Sequence, residues 1–113
     1  MTDKPDWEIR FEAELRRAAE ARRAGNEGMA RVCARRAAGV VVRAYFDRSG
    51  WVPRGMSALN LLRALRDADA ESEQTRTLAG HFLLQITEDH LLPGEIDLLA
   101  GAEQLKETLF PED

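Results

Sequence analysis

Apolar residues recur along this chain at three- and four-residue intervals, and no stretch sustains the apolar–polar alternation of a strand. The pattern predicts an all-α protein. A first helix is expected from about Asp6 to Ala24. Trp7, Phe11, Leu15, Ala18 and Arg22 step four, four, three and four positions along one stripe of an otherwise charged rod. Asp6 is its expected N-cap, and Gly25-Asn26 ends or bends it. A second helix is expected from Asn26 or Glu27 to Asp47. Ala30, Cys33, Ala37, Val40, Val41 and Ala44 share one face, while Met29, Val32, Val42 and Tyr45 fall elsewhere around it. A helix that is apolar nearly all round is central or shared with a partner. Ala37-Ala38-Gly39 offers a patch of small residues where another backbone can come close, and Gly50 is the expected C-cap.

After a loop over Trp51 to Met56, Ser57 is expected to cap a short third helix from Ala58 to about Ala68, packed through Ala58, Leu61, Leu62 and Leu65. The fourth helix is expected from about Glu71 to Thr87. Thr75, Leu78, Ala79, Phe82, Leu83 and Ile86 give the most regular stripe in the chain. Its opposite face carries Thr77, Gly80, His81 and Leu84. Leu91-Leu92-Pro93-Gly94 breaks the pattern. A fifth helix from about Glu95 to Phe110 presents Leu98, Ala102, Leu105 and Leu109. The expected architecture is an antiparallel up-and-down bundle of four main helices and a short one. It forms a single domain over 1–113 with its core at about 7–109.

Composition narrows this picture. At 113 residues the chain has room for one core, and 44% hydrophobic with 32% charged residues is a globular balance. The lone cysteine, Cys33, excludes an internal disulfide and a multi-cysteine zinc site. On the apolar face of its helix it reads as a small buried residue. No apolar run reaches membrane-spanning length, and Met1 to Trp7 has no secretory character. A cytoplasmic setting is expected. Charge is divided unevenly. Residues 10–66 carry 13 Arg against five acids, whereas residues 67–113 carry 12 acids against Arg76 and Lys106. Such a split either pairs oppositely charged helices within the fold or marks a face for a polyanion.

The helix order, the second helix and the stretch after it carry a resemblance. Ala30-Arg31-Val32-Cys33-Ala34-Arg35-Arg36-Ala37-Ala38 leads to Ala44-Tyr45-Phe46 and Gly50, and then to Ser57-Ala58-Leu59-Asn60-Leu61-Leu62. Together these resemble the HEPN superfamily of small helical bundles over about residues 7 to 109. The resemblance implies a homodimer. Some such domains are metal-independent ribonucleases of toxin–antitoxin or defence systems. Others bind nucleotides, or pair with a nucleotidyltransferase protein without cutting RNA. Catalytic members carry Arg, four to six residues, then His, and Arg76-Thr77-Leu78-Ala79-Gly80-His81 matches that spacing. In that role His81 would exchange protons with the ribose 2′-OH or the leaving oxygen, and Arg76 would stabilise phosphate charge. On a regular helix, however, positions five apart diverge by roughly 140°.

Arg31, Arg35, Arg36 and Arg43 on the second helix are the candidate nucleic-acid contacts. No aromatic series accompanies them for base stacking. Glu88-Asp89-His90 reads as a polar helix end and not as a metal site, so no metal and no cofactor is expected. Gly25-Asn26-Glu27-Gly28 lacks the strand and the Lys-Ser/Thr ending of a P-loop. Three functions stay open: a catalytically inactive, nucleic-acid- or nucleotide-associated interaction module; an endoribonuclease using Arg76 and His81; and a scaffold bundle with a protein partner such as an antitoxin.

Overall fold

The computed structural model describes residues 3–50, 55–84 and 96–111. These form an all-α bundle of five helices: α1 (Asp6–Arg23), α2 (Glu27–Arg48), α3 (Ala58–Arg66), α4 (Glu73–His81) and α5 (Leu98–Leu109). Short polar side chains start four of them by occupying free backbone N–H groups. Asn26 Oδ1 accepts from Met29 N–H at 3.1 Å, and Ser57 Oγ from Asn60 N–H at 3.1 Å. Ser72 Oγ accepts from Thr75 N–H at 3.2 Å, and Asp97 Oδ1 from Leu99 N–H at 3.0 Å. The start of α1 differs from expectation. Asp6 is its first helical residue, and Pro5 stands at the cap with no side-chain bond. The Pro5 carbonyl instead accepts from Glu8 and Ile9 N–H.

One cluster of buried side chains joins all five helices, and α2 is its axis. Helices α1, α3 and α5 each pack on α2, while α4 packs on α3 and α5. This arrangement accounts for the apolar circumference of α2, because neighbours cover it on several sides. Val42, which the pattern left as surplus surface, is completely buried, while Val32 stays 38% and Met29 46% exposed. Gly39 is needed where α2 meets α3. A Cβ there would lie 2.5 Å from the Cβ and 2.9 Å from the Cα of Ala58. Trp7 and Phe110 stack with ring centroids 4.5 Å apart, joining the start of α1 to the end of α5.

Helix α4 is shorter than its stripe predicts. It ends at His81, and Phe82 and Leu83 N–H bond back only three residues, to the Ala79 and Gly80 carbonyls at 3.2 and 3.0 Å. Phe82 is nevertheless fully buried, and Leu84 is half-buried. Ile86, Glu88-Asp89-His90, the Leu91–Gly94 break and most of the loop before Gly55 lie outside the described residues. Helix α5 starts at Leu98 instead of Glu95, because Asp97 caps it. Among the described residues no helix is long and apolar enough to cross a membrane.

Candidate functional site

The four candidate arginines of α2 divide into two pairs. Arg31 is buried, with Nη1 3.8 Å from Glu27 Oε2 one turn earlier. Arg35 is half-buried and donates from Nε to the Phe82 carbonyl at 2.9 Å. Burial pushes its guanidinium pKa down, and the charge of Arg31 adds to that push. An arginine starts so high that it stays protonated. Its work is internal, holding the turn after α4 against α2. Arg36 and Arg43 are exposed and seven residues apart, which is two turns and therefore one face.

Packing adds a third arginine to that face. Arg10 of α1 joins Arg36 and Arg43 around a groove of about 340 Å³ between α1, α2 and the start of α3. Gly39, Val40, Met56, Ala58 and Leu61 supply its apolar lining. Arg10, Arg36 and Arg43 are exposed, and none makes an ion pair or side-chain hydrogen bond with a described residue. Elsewhere on the surface most arginines are engaged, as with Arg17–Glu14, Arg22–Glu27 and Arg66–Asp67. Three unpaired cations beside a low-dielectric wall raise the local potential for an anion. Guanidinium forks also match phosphate oxygens geometrically.

Glu14 is the acidic residue lining this groove. One of its oxygens, Oε1, accepts from Arg17 Nη1 at 2.7 Å. The other, Oε2, is buried and has no hydrogen-bond partner. The described residues that line the groove include no Ser, Thr, Cys, His or Tyr.

Arg76 and His81 open on different recesses at α4. Arg76 lies with Arg66, Thr77 and Gly80, donating from Nε to the Arg66 carbonyl at 2.9 Å. His81 lies with Gln74, Leu78 and Gln104 of α5. Glu73 and Thr77 border both recesses. The two side chains thus line adjoining recesses along α4. Cys33 is buried. Among the described residues no three His, Cys, Asp or Glu side chains gather where they could hold a metal ion.

The sequence reading missed Arg10 and Glu14. Both stand off the apolar stripe of α1, and only the packing of α1 along α2 brings them to Arg36 and Arg43. The available signal was the excess of arginine over acid in the first half of the chain. No protein-family model, curated protein or solved structure matches this chain.

Proposed function

We infer that this protein is a HEPN-like helical-bundle interaction module that binds phosphate-bearing nucleic acid or nucleotide without cutting it. The observation that carries the reading is the set of three exposed guanidiniums, Arg10, Arg36 and Arg43, without an ion-pair partner among the described residues, around one apolar-walled groove. Two further features support it. The described residues of the groove offer cations and an apolar wall, the two elements of an anion-binding surface, and Arg76 and His81 line adjoining but different recesses away from it. A cytoplasmic homodimer belongs to the same reading. Its motive is the pair of exposed apolar residues on α2, Met29 and Val32, one turn apart.

Fluorescence anisotropy with labelled single-stranded RNA tests the reading. If three phosphates are neutralised, log affinity should fall with log salt at a slope of about −2, taking roughly 0.7 per phosphate. Arg36→Glu combined with Arg43→Glu should weaken binding at least tenfold at low salt, with helical circular dichroism unchanged. Unaltered affinity in that variant overturns the assignment of the groove. RNA cleavage in chelator that disappears in His81→Ala replaces the module with the enzyme.

A further inference from the structure

Glu14 is out of place in a site that serves only to attract anions. A carboxylate beside Arg10, Arg36 and Arg43 repels phosphate and cancels part of the arginine field. It is also under-satisfied, because Oε2 is buried without a hydrogen-bond partner. A buried acceptor left unmade is costly, and the cost is recovered when a ligand supplies an N–H. The terminal torsion of a glutamate is broad, so modest rotation redirects that oxygen. The ligand that fits therefore carries an anion for the arginines and a hydrogen-bond donor for Glu14. Between them it needs a flat or apolar body to lie against Val40, Met56 and Leu61. A nucleotide has these three parts.

The donor requirement also ranks the bases. An ionised carboxylate only accepts. Guanine presents two adjacent donors on its Watson–Crick edge, the ring N1–H and the 2-amino group. Adenine and cytosine present one amino group beside a ring nitrogen that is itself an acceptor. Uracil presents one N–H between two carbonyl oxygens, both of which a carboxylate repels. The groove volume of about 340 Å³ lies at the small end of ligand sites, roughly 300–1,000 Å³, and suits one nucleotide unit. Unstacked bases of single strands are commonly read on this edge, with arginine planes serving as stacking surfaces. We propose that Glu14 makes the α1–α2–α3 groove selective for a guanine nucleotide. The proposal rests on the reading of that groove as a phosphate site.

The experiment has two arms, one for each source of the nucleotide. Calorimetry with GMP, AMP, CMP and UMP tests the free ligand. Anisotropy with heptauridylate, and with heptauridylate carrying one central guanosine, tests the strand. The expected result in at least one arm is binding about tenfold tighter with guanine than with uracil. In Glu14→Ala the guanine ligand should weaken while the uracil ligand holds or tightens, because the repelling charge is gone. That crossing is not produced by loss of phosphate contacts or by partial unfolding. If Glu14→Ala melts early, Glu14→Gln replaces it, and the preference should then shrink to within about twofold. Equal affinity for all bases, with every ligand responding alike to the Glu14 variants, overturns the guanine proposal and leaves the phosphate site standing. Failure of every ligand to bind at low salt overturns both.

Discussion

Two glycines with opposite surroundings test the packing residue by residue. Gly39 sits where a methyl group would meet Ala58 at 2.5 Å, partly against its backbone. Gly39→Ala should therefore destabilise the fold by about 1–3 kcal/mol in chemical denaturation, through overpacking. A Cβ on Gly101 would lie 3.5 Å from the Phe82 ring, an ordinary contact. Gly101→Ala should stabilise by about 0.5–1 kcal/mol, because alanine favours the interior of α5. The reverse order would show that the α2–α3 approach is wrong. Asp97 gives the pH dependence. Burial acts to raise its pKa, but the Ala100 N–H, the Arg22 guanidinium and the Leu99 N–H outweigh burial and hold it below 3.8. A depressed carboxyl contributes stability above its unfolded value, and that contribution disappears as pH falls through the folded value. Asp97→Ala should cost about 1 kcal/mol near neutral pH, the usual worth of an N-cap. Asp97→Asn should keep most of that cap while flattening the decline in stability below about pH 4. Thermal melts across pH 2.5–7 read both.

Each helix shows what could be read without coordinates. The Ser57 cap, the α1 stripe and the small-residue patch at Gly39 were legible because they follow local chemistry and local period. The end of α4 was not. Its stripe runs on past His81, yet the chain turns there and Arg35, 47 positions earlier, takes the Phe82 carbonyl. No local rule announces a bond between residues so far apart in sequence. The same limit hid the groove. Arg36 and Arg43 were visible as candidates, but their separation from Arg31 and Arg35 is decided by which flank of α2 each neighbour covers. Two substitutions distinguish these roles. Arg35→Ala leaves the buried Phe82 carbonyl without its donor and should cost about 1–3 kcal/mol of stability, with RNA affinity changed by less than twofold. Arg43→Ala should leave the melting curve in place and weaken RNA binding several-fold. If Arg35→Ala abolishes binding in folded protein, Arg35 belongs to the site after all.

At the scale of the molecule, the unequal charge of the two halves becomes a partition among helices. The arginine groove belongs to α1, α2 and α3, whereas Glu103 and Glu107 flank a separate recess between α1 and α5. Phosphate should therefore approach from the first side and be turned away from the second. Association between copies is expected through neither groove. Met29 and Val32 are the exposed apolar pair on the central helix, and a two-fold axis would bury both against their copies. Met29→Glu with Val32→Glu should shift light scattering from dimer to monomer at micromolar concentration while retaining helicity. Val42→Glu would be uninformative about the interface, because Val42 lies in the core and a charge there unfolds the bundle. A wild-type monomer at high concentration removes the dimer.

The axial position of α2 also orders events in time. Its contacts with α1 join neighbours in the chain, whereas its contacts with α5 close a long loop. Closing that loop costs entropy before any contact repays it. The α1–α2 pair should therefore assemble first and α5 arrive last, bringing Phe110 onto Trp7. Stopped-flow tryptophan fluorescence should show Ala34→Gly slowing refolding, because Ala34 is buried within α2. Leu105→Ala in α5 should leave refolding nearly unchanged and accelerate unfolding. The opposite partition of rates would make α5 part of the nucleus.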